Sequence, residues 1–289
     1  MFQSTKQTYV PSQGKFLKFR EFTNGHLFAM TKSSHSQIDS ITCQLDTLKD
    51  LYADTIDFDF TVLDLFTIFL DWRISNIDAI ITIEQPDKNI TIDLSDWYVE
   101  AQKLKNVNWA STLSLEVLDI NLNIPKVSDI LEMHKDYALI GDVYQRRLEE
   151  NVTMGTLLLF DSIGDNKLDY GSKKELFENL PLQKLKELEE YSKSIHDKLK
   201  MVNINMGGLE DRLEFSFELI PILIQNLFGG SFEDIIETFL LTNKKTKLSL
   251  EEYMNMTPLE SRYSIEFMLN QEQNQKEQGP SDEDMFAAG

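Results

Sequence analysis

Residues 57–95 constrain the architecture more than any other stretch. Val62, Leu65, Phe66, Phe69, Leu70 and Ile77 recur at three- and four-residue spacing, which is the period of one helix face. Leu63, Ile68 and Trp72 add apolar bulk on the opposite side. A helix apolar on nearly all sides is either buried or held between two partners. Past Ser75-Asn76 the period changes. Ala79–Ile83 and Ile90–Leu94 are short and β-branched, and the turn-forming run Glu84–Asn89 separates them. That pattern predicts a hairpin. A hairpin alone is marginal in water, so a covering element is required, and the helix at 60–77 is the nearest one.

The flanking segments extend this reading. Asn24-Gly25 lies between Lys15–Arg20 and Leu27–Met30, which favours a hairpin turn there. Ile38, Ile41, Leu45, Leu48 and Leu51 form the stripe of a helix over 36–54. Apolar residues alternate from Leu113 to Ile124 with one slip near Leu118. This predicts a third strand, ended by Pro125 and paired with the hairpin at 79–94. From Ser128 onward only helices are expected. Met154–Phe160 is apolar enough to be buried, Asp161–Gly171 reads as a loop, and Ser172 with Glu175 reads as a capping box. Pro181 interrupts the helix so started. Leu185, Leu188, Ser192, Ile195 and Leu199 then follow a short heptad pattern, expected to pack on its own domain. Leu213–Phe228 is densely apolar, with breaks at Met206-Gly207-Gly208 and Gly229-Gly230. Helix starts are predicted at Ser231 with Asp234, Ser249 with Glu252, and Thr257 with Glu260. Leu259, Tyr263 and Phe267 line one face of the last helix.

The expected fold class is therefore α+β. A small antiparallel sheet covered by helices occupies the N-terminal half, and the C-terminal half is mostly helical. The expected division is an α+β domain over 1–125, a helical domain over 126–270, and an acidic polar tail over 271–289, disordered when alone.

Composition narrows the function classes. The chain has 289 residues, 42% of them hydrophobic, which is enough for a sizeable core. Its 48 acidic residues against 28 basic give a net charge of −20, a field that repels nucleic acid and anionic lipid. A nucleic-acid mimic would need carboxylate rows on one face, and the sequence does not display them. Cys43 is the sole cysteine, which excludes an internal disulfide and a thiolate zinc site. The polar start Met1–Thr5 and the lack of a membrane-length apolar run predict a cytoplasmic protein outside the membrane.

No catalytic constellation emerges. His26, His35, His134 and His196 are scattered. Asp165–Gly171 comes nearest to a calcium loop, but lysine holds the third position and glycine the seventh, where an EF-hand needs an oxygen ligand and then glycine at the sixth. Asp57, Asp59 and Asp64 are grouped, with Asp59 expected to cap the helix that follows. Lys244, Lys245 and Lys247 read as a solvated basic patch. No metal, cofactor or catalytic residue is expected.

The central stretch resembles the baseplate hub subunit and hub assembly catalyst proteins of T-even-type phages. The residues that carry the likeness are Phe58-Asp59-Phe60, Leu65-Phe66, Phe69-Leu70, Trp72-Arg73-Ile74-Ser75, Ile80–Ile83 and Ile90–Leu94, in that order. Pro11–Gly14 with Phe19–Thr23 resembles the family opening, Asn123-Ile124-Pro125 the strand exit, and Met256–Arg262 a C-terminal segment also similar to phage tail assembly chaperones. Some relatives carry cysteines in the hairpin loop; here the loop is Gln85-Pro86-Asp87-Lys88. The resemblance implies a non-enzymatic role in assembling a contractile-tail baseplate hub, in the host cytoplasm and then in the virion tail. The implied partners are other hub proteins or the tape measure protein, with homo-oligomers allowed and no nucleic acid or membrane. On this reading two surfaces should dock partners: Leu63, Ile68, Trp72 and Arg73 on the outer side of the central helix, and Arg262, Tyr263 and Phe267 on the C-terminal helix. The competing expectation is an acidic cytoplasmic host-directed regulator or enzyme, with an unrecognised polar pocket around a residue such as His134.

Overall fold

A computed structural model describes residues 5–33, 37–52, 60–84, 89–205, 215–228 and 232–277. In chain order, β1 (Thr5–Val10) and β2 (Lys15–Arg20) precede α1 (Asn24–Ser33), α2 (Gln37–Leu51) and α3 (Val62–Asn76). β3 (Ile80–Glu84), β4 (Asn89–Asp93), α4 (Leu94–Gln102), β5 (Ser111–Ser114) and β6 (Asp119–Leu122) follow. Next come α5 (Val127–Tyr137), α6 (Val143–Met154), β7 (Phe160–Ile163), β8 (Asn166–Lys167), α7 (Tyr170–Glu178) and α8 (Leu182–Leu199). The chain ends in α9 (Ile220–Leu227), α10 (Phe232–Thr246), α11 (Leu250–Asn255) and α12 (Pro258–Glu277). The fold is α+β with small antiparallel sheets, as the sequence predicts.

α3 is the organising element. Thr61 caps it and forms a capping box with Asp64: the Thr61 side chain accepts from the Asp64 N–H, and the Asp64 carboxylate accepts from the Thr61 N–H at 2.8 Å. Asp59, expected as the cap, lies outside the described residues, and the observed cap is Thr61. Every residue from Val62 to Leu70 is buried. The helix packs against β1, α4 and α9, so apolar bulk on all its faces reflects partners on all sides. The hairpin after it forms as read, with Ile81 opposite Ile92 and Ile83 opposite Ile90. Ile90 and Ile92 point into the core while Asn89, Thr91 and Asp93 face out.

Three expectations are corrected. The N-terminal hairpin turns at Pro11–Gly14, where Gly14 takes φ 60, a left-handed conformation that suits glycine. Asn24-Gly25 instead opens α1, and Leu27–Met30 is helical. Residues 113–124 are two strands, β5 and β6, rather than one. The slip near Leu118 is their turn, closed by Leu115 N–H donating to the Leu118 carbonyl at 2.8 Å. They do not join the hairpin at 79–94; β6 pairs with β7, and β7 with β8, into a four-stranded sheet. The region after Ser128 thus contains strands as well as helices.

The sheet also crosses the expected boundary at 125/126. Val62 N–H donates to the Pro125 carbonyl at 3.3 Å, and Val127 N–H to the Phe60 carbonyl at 2.9 Å. One buried apolar cluster runs from Val10 through α3, the four-stranded sheet and α8 to Phe228. In α8, Leu188, Ile195 and Leu199 are buried, so the heptad pattern packs internally. α7 is capped by Asp169, which accepts from Ser172 N–H at 2.7 Å; the expected Ser172 cap lies one turn inside. The boxes at Ser249–Glu252 and Thr257–Glu260 form as read. α12 continues to Glu277, so 271–277 of the expected disordered tail is helical.

Candidate docking surface

The sequence nominates two surfaces, and the fold places them differently. Leu63, Ile68 and Trp72 are all buried inside the chain, Trp72 to 1% exposure. The Trp72 ring stacks edge-on to Phe19 at 5.3 Å and to Phe69 at 5.0 Å, and lies 6.0 Å from Phe22. Phe228 closes the group, 5.2 Å from Phe22 and 5.8 Å from Phe69. These residues are core, not surface, because β2, the loop that follows it and the end of α9 cover the side of α3 that the sequence leaves open. Arg73 is half-buried. Its Nε donates to the Leu227 carbonyl at 2.9 Å, and its guanidinium also reaches the Asp78 carbonyl. Burial draws the Arg73 pKa down, with nearby Asp78 opposing. It ties the end of α3 to α9 rather than presenting a charge outward.

Arg262, Tyr263 and Phe267 are exposed on α12. Thr257 and Glu260 start α12, with Thr257 N–H donating to Glu260 Oε2 at 2.8 Å, and Pro258 fits the first turn, where its missing N–H is not needed. One face of the helix is anchored. Ser261 is buried, and Asn24 Nδ2 donates to Ser261 Oγ and to the Tyr253 carbonyl, both at 3.0 Å. Asn24 N–H adds a bond to the Met256 carbonyl at 2.8 Å. This contact explains Gly25: a Cβ there would sit 3.2 Å from the Met254 carbonyl oxygen.

The opposite face carries Tyr263 at 62% and Phe267 at 63% exposure, one helical turn apart. Arg262 sits beside them, with Nε on Glu266 Oε1 at 2.9 Å and Nη1 on Asp78 Oδ2 at 3.3 Å. The hydrogen bonds it donates to Glu266 and Asp78 hold its pKa up. The same contacts, with the Ile80 N–H as the largest influence, hold the Asp78 carboxyl below its usual range. The partners of Asp78 and Asn24 escape a sequence reading, which takes Asn24 for a turn residue, because Arg262 and Ser261 lie more than 180 positions away, a separation no local pattern encodes.

Two cavities flank these elements. One of about 320 Å3 lies between β2, the C-terminal end of α3 and the start of α12, with Arg20, Phe22, Trp72 and Leu259 on its walls. The other, about 230 Å3, is lined by Ser12, Thr61, Leu104 and Trp109. His134 Nδ1 lies 2.9 Å from Glu150 Oε1 and links α5 to α6. Asp129 pairs with Lys173 Nζ at 2.5 Å between α5 and α7, both side chains buried. Lys244 and Lys247 are exposed. Among the described residues no three or more His, Cys, Asp or Glu side chains are grouped so as to hold a metal ion, and no helix is long and apolar enough to cross a membrane.

No protein-family model, curated protein or solved structure matches this chain.

Proposed function

We propose that this chain is a non-enzymatic assembly protein of a contractile phage tail, binding other baseplate hub proteins or the tape measure protein in the host cytoplasm. The ordered motif resemblance over 58–94 motivates the class. The observation that carries the docking role is the exposed pair Tyr263 and Phe267 on α12, beside Arg262. Aromatic and arginine side chains are the groups that most often dominate binding energy at protein interfaces. Two aromatics exposed on a helix whose other face is anchored by Asn24 and Ser261 form a rigid, preorganised patch. The docking reading keeps Arg262, Tyr263 and Phe267 and drops Leu63, Ile68 and Trp72, whose burial leaves them nothing to offer a partner.

The test is affinity capture of the tagged full chain from phage-infected cells, with wild type beside Tyr263→Ser/Phe267→Ser. Tail proteins should be recovered with wild type and reduced about tenfold or more with the double variant, the effect of losing one hot-spot contact. Recovery of no tail protein by wild type sinks the reading. Equal recovery by both chains moves the docking surface elsewhere.

A further inference from the structure

An uncovered sheet edge presents a row of N–H and C=O groups that can pair with another strand, and folds blunt such edges with lysine, proline, bulges, short strands or a covering helix. Most strand edges of this chain are blunted. β1 packs on α3, and β2 carries exposed Lys15, Lys18 and Arg20 and bridges to Tyr52. In the four-stranded sheet β5 lies against α8, and β8 is two residues long and includes Lys167. β4 has Asn89 and Asp93 at its ends and runs directly into α4, which Asp93 caps. β3 has none of these devices. Ile80-Ile81-Thr82-Ile83-Glu84 holds no lysine or proline, its register with β4 has no bulge, and among the described residues β4 is its sole strand partner.

The ladder decides which backbone groups point outward. Leu94 N–H donates to the Ala79 carbonyl at 2.8 Å. Bonded and non-bonded pairs alternate along an antiparallel ladder, so Ile81 with Ile92 and Ile83 with Ile90 are the bonded pairs of the hairpin. The N–H and C=O groups of Ile80, Thr82 and Glu84 therefore face away from β4. Asp78 Oδ1 takes the Ile80 N–H at 2.9 Å, and Arg262 holds the same carboxylate through Oδ2. Thr82 is exposed, and so is Ile80, at 38%.

We propose that β3 pairs with β3 of a second copy, antiparallel, across a two-fold axis at Thr82. Thr82 N–H of each copy donates to the Thr82 carbonyl of the other, and Glu84 N–H of each to the Ile80 carbonyl of the other, while Asp78 keeps the Ile80 N–H. Charge placement argues for a second copy in this register. Glu84 is the one charged residue of the strand. An axis at Thr82 sends the two copies of Glu84 to opposite ends of the pair, each toward the end of the other strand where Arg262 sits on Asp78. An axis nearer Glu84 sets like charges together, which disfavours pairing, and an axis nearer Ile80 needs the N–H that Asp78 holds. The contact is isologous, so it closes as a dimer. It holds independently of the phage reading.

Sedimentation velocity of the full chain over a wide concentration range tests it, in about 0.5 M salt to screen the repulsion between two acidic chains. Wild type should move from monomer to dimer and to nothing larger. Thr82→Pro removes an outward N–H that the hairpin does not use, at the kind of edge position that admits proline, and should abolish the dimer. Thr91→Pro makes the same change on the outer edge of β4 and should leave the dimer intact. Thr82→Cys sets one thiol on each side of the axis, where opposed Cα atoms about 5.5 Å apart are within disulfide reach. Mild oxidation should cross-link that variant into a dimer, and should not cross-link wild type, whose one cysteine is Cys43. The cross-link decides the question if Thr82→Pro fails to fold. A wild type that stays monomeric throughout overturns the proposal. So does a dimer that survives Thr82→Pro, a dimer lost in folded Thr91→Pro, or a dimer in which Thr82→Cys forms no cross-link.

Discussion

Trp72 and Asp64 sit two turns apart on α3 and set different demands on the fold. Trp72 fills the centre of an aromatic group from β2, the loop after it, α3 and the end of α9. Its removal leaves a cavity that rigid neighbours cannot close, so Trp72→Ala should destabilise the chain by about 3–5 kcal/mol. Urea unfolding followed by circular dichroism measures this; a loss under 1 kcal/mol would mean that the neighbours are not packed as described. Asp64 is fully buried, and its carboxylate accepts from Ser12 N–H, Thr61 N–H and the Thr61 hydroxyl at 2.7–2.8 Å. Desolvation by burial raises its pKa despite those bonds, which act in the opposite direction. A carboxyl raised in the fold contributes stability that is present below its unfolded value, about 3.9, and lost as pH rises through the folded value. Asp64→Asn removes that titration and sets an amide N–H against a donor. The variant should therefore be less stable than wild type, with a deficit that is largest below about pH 4 and shrinks as pH rises. Paired melting curves across pH check the sign; a deficit that grows with pH would show the three donors outweighing desolvation.

At the scale of elements, caps and ion pairs decide how helices are held. The Thr257–Glu260 box starts α12 and so positions the Tyr263–Phe267 face. Thr257→Ala should lower stability by about 1 kcal/mol, in the range of lost N-caps, and loosen the docking face; hydrogen exchange at the first turn of α12 reports it. Lys173 and Asp129 clamp α7 to α5 from buried positions. Lys173→Met leaves a buried carboxylate without its cation and should destabilise by about 3–5 kcal/mol, while Lys173→Met/Asp129→Leu should recover much of the loss. A double variant as unstable as the single one would refute that account. These elements also mark how far the sequence was legible. Helices with strong periodicity or adjacent caps, such as α2, α3, α8, α11 and α12, follow from side chains within one or two turns. Asn24-Gly25 misled because its role is tertiary: Asn24 bonds to Tyr253 and Ser261, and Gly25 admits the Met254 carbonyl. The same limit explains Trp72. Periodicity marked α3 as apolar all round, which fits either a buried helix or an interface, and only the positions of Phe19, Phe22 and Phe228 decide between them.

Across the whole molecule the segments before and after residue 125 share a sheet and an apolar core. β6 lies before that point and β7 after it, and they pair directly, with Ile120 opposite Ile163 and Leu122 opposite Phe160. Phe60 and Val62 exchange backbone hydrogen bonds with Val127 and Pro125. α3 packs on α9, and Phe66 lies 5.2 Å from Phe215. Sequence pattern suggested a boundary at 125/126 because β-branched alternation gives way there to helical spacing. A change of local period does not report where strands pair, and Phe160–Ile163 is too short to announce itself as the partner of β6. A chain cut at 125/126 would expose the inner faces of α3 and β6 on one fragment and of β7 and α9 on the other. Surfaces of that apolar extent drive association or collapse rather than independent folding. The fragment 1–125 expressed alone should therefore lack a cooperative thermal transition, and so should 126–289. Co-expressed, the two should reassemble and unfold in one transition. Differential scanning calorimetry distinguishes the cases. Two separate transitions in the intact chain, at temperatures reproduced by the isolated fragments, would show two independent units and contradict a core shared across β6 and β7.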